Sequence, residues 1–151
     1  MNCELITVER KSAAMWITLN RPKAANTFKP PHTFREIRSV FDSVREDRSV
    51  KALVITGAGD QAFCMGSDLG MLQQAFASRN YSLFRDYLQD VNAFLFELED
   101  LPVPTVAMVQ GRARAGGFEL LLACDFVLIA TEALVGDVHT PFGHMPGAGA
   151  T

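Results

Sequence analysis

Apolar and polar residues follow each other along the chain with two different periods. Two β-rich apolar runs, 5–8 and 15–19, flank a polar stretch that favours a hairpin. After the prolines at 30 and 31, apolar residues recur at helical spacing and predict a helix. The predicted buried face of this helix consists of Phe34, Ile37, Val40, Phe41 and Val44. The continuous apolar run 51–57 predicts a strand that is covered on both faces.

The second half of the chain repeats this alternation with longer elements. Apolar residues from Phe84 to Leu98 form the clearest helical stripe of the sequence. The runs 104–109 and 125–130 predict two more buried strands, with an apolar helix between them. Strands that alternate with helices in this way favour a layered α/β domain with mainly parallel strands and right-handed crossovers.

The glycine-rich segment 57–66 is predicted to be a loop between a strand and a helix. Ser67 or Asp68 then caps a helix that continues through residue 75. The glycines at 57 and 59 do not follow the first strand in a GxGxxG pattern, which argues against a dinucleotide-binding loop.

The segment 111–116 is predicted to be a turn between a buried strand and a helix. Backbone N–H groups at the start of a helix lack partners and attract negative charge. Glu119 lies three residues after Gly116, so the two share a helix face. An anion-binding backbone beside a carboxylate is a candidate site for enolate chemistry. The segment lacks the lysine of a P-loop, and the sequence leaves open whether Arg112 and Arg114 face a substrate or solvent.

Composition and charge narrow the classes of partner. The chain of 151 residues is 48% hydrophobic and 21% charged, which fits one globular domain with a substantial core. A net charge of −3 and the lack of a basic face argue against nucleic acid. We expect no membrane or metal partner, because the sequence has no run of membrane-spanning length and no zinc-binding spacing of histidines. Three widely spaced cysteines indicate a reduced, cytoplasmic setting.

A series of short motifs occurs in the order that one family carries. They are Leu19–Ala24 with Asn26, Val54–Gly57, Ala62–Leu69, Pro102–Pro104, Gly111, Ala115–Leu120, Ala123–Asp125 and Pro146–Gly149. On these motifs the chain resembles the enoyl-CoA hydratase/isomerase (crotonase) superfamily, over essentially all of its residues. The resemblance implies a crotonase-like (ClpP/crotonase) α/β fold, with a spiral core of repeated ββα units.

The resemblance also implies an acyl-CoA thioester as substrate and an enolate as intermediate. The oxyanion hole maps to the backbone N–H groups of Ser67 and Gly116, and both lie at glycine turns that lead into helices. The binding region for coenzyme A maps to Lys23, Ala24, Ala62, Met65, Gly66, Asp68 and Leu69. Lys23 is alternatively a solvated surface lysine. No cofactor is implied, since coenzyme A is part of the substrate.

Two glutamates act in the hydratases of this family, and the first maps to Glu119. Its apolar neighbours argue against an acid on the helix surface. The position of the second glutamate holds His139, which is either a proton-transfer group or a loop histidine bonded to the backbone. Asp137 and His144 are candidates to orient His139 or to replace it. The loss of the second acid argues against a simple isomerase.

Three functions therefore compete. The first is hydration or dehydration of a 2-enoyl-CoA, with Glu119 and His139 as the catalytic residues and a role in fatty acid metabolism. The second is hydrolysis, decarboxylation or C–C cleavage by the same oxyanion hole. The third is a non-catalytic fragment that binds acyl-CoA.

The final residues, 144–151, are typical of a loop that opens a further helix. Residues 1–151 are therefore interpreted as a crotonase-like acyl-CoA-binding domain that is truncated at its C-terminus, without the C-terminal helices of the family. A frayed tail is the alternative. For the full-length protein, the resemblance implies a homo-trimer or hexamer.

Overall fold

The computed structural model describes residues 3–68, 70, 73–74, 77–143 and 145–150. Its strands are β1 (Ile6–Lys11), β2 (Ala14–Leu19), β3 (Ala52–Gly57), β4 (Ala62–Cys64), β5 (Thr105–Val109), β6 (Arg112–Arg114), β7 (Phe126–Ile129) and β8 (Val135–Gly136). Its principal helices are α1 (His32–Glu46), α2 (Tyr81–Glu99) and α3 (Gly116–Leu122). Short 3₁₀ turns span Pro22–Ala24 and Thr140–Phe142.

A five-stranded sheet in the order β1-β2-β3-β5-β7 forms the centre of the domain. The hairpin prediction is confirmed, because β1 pairs with β2 in antiparallel register from Ile6 opposite Leu19 to Lys11 opposite Ala14. The other neighbours in the sheet are parallel, as the alternation of strands and helices predicts.

Helices α1 and α2 pack their apolar faces into the core. All five residues predicted for the buried face of α1 are buried, and they are joined there by Thr33. From α2 the buried residues are Val91, Phe94, Leu95 and Leu98. The ring of Phe94 stacks on Phe34 and Phe41, at centroid distances of 4.8 and 5.8 Å. The predicted helix from Ser67 or Asp68 through residue 75 is confirmed where it is described, since residues 70, 73 and 74 are helical, and residues 69, 71, 72 and 75 lie outside the described residues.

A second sheet of three short parallel strands, β4-β6-β8, was not predicted. The segments 57–66 and 111–116, predicted as a loop and a turn, contain β4 and β6 respectively. Strands of two or three residues carry almost no periodic signal, and their hydrogen-bond partners are distant in sequence. Gly117 permits α3 to pack on this sheet, because a Cβ there would lie 2.0 Å from the carbonyl oxygen of Cys64.

The prediction of a buried strand over 125–130 is right about the strand but wrong about its burial, because β7 is largely exposed. It pairs with β5 but forms the edge of the large sheet, and Phe126, Leu128 and Ile129 are 59%, 60% and 53% exposed. An apolar run signals a strand without saying how many neighbours cover it. None of the helices in the described ranges is long and apolar enough to cross a membrane.

The three cysteines are free thiols. Burial raises the pKa of Cys64 to about 12, and burial together with the charge of Asp125 raises the pKa of Cys124 to about 12. Both side chains therefore remain protonated and act as packing groups, as their apolar sequence context indicates.

Candidate active site

The small sheet gathers the predicted catalytic residues at one edge. Strand β4 ends three residues before Ser67, β6 ends two residues before Gly116, and β8 ends three residues before His139. Because these strands are parallel, their carboxyl ends lie at the same edge, where ligands bind in open α/β sheets. The fold thus brings three distant segments of the chain to one place.

The loops before Ser67 and Gly116 lie in direct contact. A Cβ at Gly66 would lie 2.8 Å from the backbone nitrogen of Gly116, and a Cβ at Gly116 would lie 3.4 Å from the Cα of Gly66. Gly66 also has a φ of +86°, a conformation that L-residues with a Cβ rarely adopt. Glycine at position 66 is therefore required both for the backbone conformation and for the approach of the two loops.

The backbone around Ser67 pairs its neighbours but, within the described ranges, not its own N–H. On one side of the chain, the N–H of Phe28 donates to the carbonyl of Gly66 at 2.8 Å, and the N–H of Asp68 donates to the carbonyl of Phe28 at 3.0 Å. Among the described residues, neither the N–H of Ser67 nor that of Gly116 has an acceptor. Two unpaired donors on touching loops are what an oxyanion hole requires.

Ala115 forms the turn from β6 into α3 in an unusual conformation. Its φ and ψ are 48° and −127°, which a residue with a Cβ adopts at a cost of roughly 1–3 kcal/mol. Its carbonyl accepts hydrogen bonds from the N–H groups of Phe118 and Glu119, at 2.8 and 3.0 Å. Such strain is typical of functional sites, and here it sets the direction of the adjoining N–H of Gly116.

Glu119 is buried, with 4% of its surface exposed. This confirms the expectation that it is not a surface acid of its helix. Its Oε1 accepts a hydrogen bond from the N–H of Ala148 at 2.8 Å. The loop that carries Ala148 is held by Asn92 of α2, whose Nδ2 donates to the carbonyl of Gly147 at 2.9 Å. A buried carboxylate on the helix that begins at Gly116 is therefore held in a fixed orientation.

Tyr87 of α2 is a site residue that the sequence analysis missed. Its hydroxyl forms a hydrogen bond with the Oγ of Ser67. Burial raises the pKa of Tyr87 to about 12; the hydrogen bond to Ser67 lowers this pKa, and the charge of nearby Glu119 raises it. In the sequence, Tyr87 is one member of an apolar helical stripe. The signal available there was that a buried tyrosine needs a partner for its hydroxyl.

The ring of His139 is bonded to a carboxylate rather than to the backbone, and its role in proton transfer stays a prediction. Its Nδ1 forms a hydrogen bond with Oδ1 of Asp137, and its N–H donates to the same oxygen at 3.2 Å. Removal from water raises the pKa of Asp137, but the hydrogen bonds from His139 outweigh this effect and lower it below its ordinary value. Within the described part of the chain, no hydrogen bond joins His139 to Glu119.

The residues predicted for coenzyme A lie on two adjoining loops. Lys23 is exposed and Ala24 partly exposed in the first 3₁₀ turn. Met65 is partly buried, and its N–H donates to the carbonyl of Ala25 at 3.2 Å. Asp68 joins the loops, since its carboxylate lies 3.3 Å from the guanidinium of Arg21. Their roles in binding stay predictions.

Ala62 is buried, and its carbonyl oxygen is already occupied. It accepts hydrogen bonds from Nδ2 of Asn26 at 2.7 Å and from Nε2 of Gln110 at 2.9 Å. These two bonds fix the shape of the loop, and a role of Ala62 in binding coenzyme A stays a prediction. Gln110 was not singled out by the sequence, and it also holds the carbonyls of Gly57 and Gly59.

The remaining positions singled out in the sequence are Leu69, His144, Arg112 and Arg114. Leu69 and His144 lie outside the described residues. Arg112 is exposed and Arg114 is partly buried. The guanidinium of Arg114 packs against Gly136, since a Cβ added there would lie 3.1 Å from its Nη1. Among the described residues, no three His, Cys, Asp or Glu side chains are grouped so that they could hold a metal ion.

Comparison with known proteins gives consistent matches over almost the whole chain. The family model for enoyl-CoA hydratase/isomerase matches residues 9–151. A crotonyl-CoA hydratase of Syntrophomonas wolfei is 33% identical over 154 aligned positions, which cover 100% of this chain and 56% of that protein. YngF of Bacillus subtilis is 34% identical over 150 residues, which are 97% of this chain and 54% of YngF.

Solved structures of enoyl-CoA hydratases also match the chain. The crystal structure of an enoyl-CoA hydratase from Bacillus anthracis superposes with a TM-score of 0.87 at 32% identity. The match covers 97% of this chain and 55% of that one. The chain thus spans about half the length of the relatives it matches.

Proposed function

The chain belongs to the enoyl-CoA hydratase/isomerase family and has its crotonase-like α/β fold, and from this premise we propose that it hydrates or dehydrates a 2-enoyl-CoA thioester through a stabilised enolate. The observation that carries the proposal is the pair of N–H groups at Ser67 and Gly116, which have no acceptor in the part of the chain that the structure describes, together with the buried carboxylate of Glu119 on the helix that begins at Gly116.

The two N–H groups act on the thioester carbonyl. When the oxygen of water adds to C3 of the enoyl group, the π electrons move toward the carbonyl and negative charge collects on its oxygen. Donors that are already in position stabilise this charge without reorganisation, and one such donor typically contributes about 10²–10³ in rate. The positive end of α3 adds to this effect.

Glu119 and His139 accept and supply the protons that move during hydration. The water gives up one proton to a base as its oxygen bonds to C3, and C2 takes up one proton when the enolate collapses. We assign Glu119 as the base, because its carboxylate is fixed by Ala148. His139 is its partner, and Asp137 orients the ring through Nδ1 and leaves Nε2 to face the ligand. Lys23, Ala24, Met65, Gly66, Asp68 and Leu69 hold the coenzyme A portion.

A second candidate reaction uses the same oxyanion hole. The Asp137–His139 pair has the form of an oriented general base, which activates water for attack on a carbonyl. Hydrolysis of the acyl thioester, or decarboxylation, would then replace hydration. A third candidate is binding of acyl-CoA without turnover. The setting that goes with the first proposal is a cytoplasmic enzyme of fatty acid metabolism, trimeric or hexameric at full length and without a further cofactor.

The substitution Glu119→Gln tests the proposal. The amide oxygen still accepts the hydrogen bond of Ala148, so the loop stays in place while the base is lost. We expect turnover of crotonyl-CoA, followed as the loss of its ultraviolet absorbance, to fall about 10²–10⁴-fold. Binding of butyryl-CoA should remain. The exposed acid Glu132, changed to glutamine, is the matched control.

Two results would contradict the assignment. Unchanged turnover in Glu119→Gln rules out the role of Glu119. Release of free coenzyme A from butyryl-CoA by the wild-type chain, lost in His139→Ala, favours hydrolysis instead.

A further inference from the structure

Two short backbone segments pair with each other beside the candidate oxyanion hole. Phe28 forms a parallel bridge with Ser67. The N–H of Phe28 donates to the carbonyl of Gly66 at 2.8 Å, and its carbonyl accepts from the N–H of Asp68 at 3.0 Å. Because successive N–H groups of an extended chain point to opposite sides, these two bonds direct the N–H of Ser67 away from Phe28. The bridge therefore sets the direction of one proposed donor.

The side chain of Arg21 holds both segments of this bridge. Its Nη1 donates to the carbonyl of Thr27 at 2.8 Å and to the Oγ1 of the same residue at 3.1 Å. Its Nη2 donates to Oδ2 of Asp68 at 3.3 Å. One guanidinium thus bonds the residue that precedes Phe28 and the residue that follows Ser67.

Arg21 is itself fixed by the backbone around it. Its N–H donates to Oδ1 of the buried Asn26 at 3.0 Å, and its carbonyl accepts from the N–H groups of Ala24 and Asn26, both at 2.9 Å. Its side chain is 21% exposed, and that of Asp68 is 44% exposed. An ion pair with this exposure contributes little to stability. A guanidinium, however, presents its donors in a rigid planar fork, so it holds two acceptors in a defined geometry.

We propose that Arg21 is a positioning residue for the oxyanion donor at Ser67. It acts through Thr27 and Asp68, which keep the peptide between Gly66 and Ser67 turned toward the thioester carbonyl. Donors of an oxyanion hole act at about 2.7–3.1 Å, so a rotation or retreat of this peptide lowers the rate. This inference rests on the proposed function, because it requires an acyl thioester at the oxyanion hole.

The substitution Arg21→Met tests the proposal, with Arg10→Met as the matched control. Arg10 bonds to the same three kinds of acceptor away from the candidate site, namely the carbonyl of Ser12, the hydroxyl of Ser49 and the carboxylate of Asp47. We expect kcat for crotonyl-CoA to fall about tenfold in Arg21→Met with KM changed less than about threefold, and to stay within about twofold of wild type in Arg10→Met. Arg21→Lys keeps the charge but loses the fork, so its kcat should also fall.

The carbonyl of a bound ligand reports on the donors without turnover. Hydrogen bonds that polarise a thioester carbonyl lower its stretching frequency, which infrared spectroscopy measures on butyryl-CoA labelled at the thioester carbon. With the protein saturated by this ligand, we expect the same lowering in wild type and in Arg10→Met. The lowering should be smaller in Arg21→Met and Arg21→Lys. A structural role alone does not change this frequency in a folded, saturated protein.

The outcomes separate the inference from the proposed function. A wild-type chain that does not lower the carbonyl frequency overturns the proposed oxyanion hole and this inference with it. If wild type lowers the frequency and the folded Arg21 variants lower it equally, the role of Arg21 is overturned and the proposed function stands. A higher KM with unchanged kcat also overturns that role, because it is the result expected if Asp68 only binds coenzyme A. Equal losses of kcat in Arg21→Met and Arg10→Met overturn it as well, and Arg21→Lys decides if Arg21→Met does not fold.

Discussion

The loops before Ser67 and Gly116, here called the donor loops, touch at Gly66. Adding a single methyl group at this position breaks their contact. In Gly66→Ala the new Cβ would lie 2.8 Å from the backbone nitrogen of Gly116. Carbon and nitrogen atoms that are not bonded approach to roughly 3.4 Å or more, so one loop must retreat by about half an ångström. The donors of an oxyanion hole act at about 2.7–3.1 Å, and a retreat of this size takes one of them out of range.

The structure offers a control that separates this contact from backbone strain. Gly59 also has a positive φ, of +77°, but a Cβ there meets only the Cβ of Pro22, at 3.5 Å. Both alanine variants carry the left-handed cost of about 1–2 kcal/mol, whereas only Gly66→Ala displaces the donor. We expect kcat for crotonyl-CoA to fall about 100-fold in Gly66→Ala, and much less in Gly59→Ala.

Steady-state kinetics and urea unfolding measure the two effects on the same samples. Both variants should lose stability, and Gly66→Ala more than Gly59→Ala because the clash adds to the strain. If the two variants have the same kcat while Gly66→Ala is folded, then the approach of residues 66 and 116 does not form the oxyanion hole, and the assignment of the site fails.

Two further predictions concern stability. Asn26→Ala removes a buried side chain that accepts from the N–H of Arg21 and donates to the carbonyls of Ala58 and Ala62, so urea unfolding should show a loss of about 2–4 kcal/mol; a loss under 1 kcal/mol would contradict its anchoring role. The pKa of Asp47 is lowered to about 2, chiefly by its hydrogen bonds from Ser49. The lowered pKa stabilises the folded state at pH values above 3.8, the pKa of the unfolded chain. This contribution is lost as the pH falls toward 2. Asp47→Asn should therefore be less stable than wild type at pH 7 and approach it between pH 4 and 2, whereas a difference that does not depend on pH would contradict this.

The large sheet and its helices follow from local pattern, because their periodicity extends over many residues. The five residues of the buried face of α1 are an example, since each one repeats the helical period of the others. The small sheet has no such signal. Its strands β4 and β8 pair with β6 from segments about 50 and 20 residues away in the chain, and each contributes only two or three residues.

The candidate site likewise contains residues that the sequence identifies and one that only the tertiary structure reveals. The motifs of the sequence identify Ser67, Gly116 and Glu119 one by one, and the family resemblance connects them. The interaction of Tyr87 with Ser67 spans 20 residues and depends on how α2 packs. A tyrosine in an apolar stripe has the same sequence pattern whether its hydroxyl faces solvent or a catalytic loop. Only the tertiary arrangement distinguishes the two cases.

Helix α2 contacts both the loop that carries Ser67 and the loop that carries Ala148. It therefore contributes polar contacts to the site in addition to its apolar face in the core. Tyr87 bonds to Ser67 on the donor loop, and Asn92 holds Gly147 beside Ala148, which in turn orients Glu119. A Cβ at Gly147 would lie 2.9 Å from a methyl carbon of Leu88, so the helix and this loop are also in close contact. A small shift of α2 would therefore move the proposed oxyanion donor, Ser67, and the proposed base, Glu119, together. Because both loops depend on one rigid helix, their relative geometry is held more tightly than contacts between the loops alone would hold it.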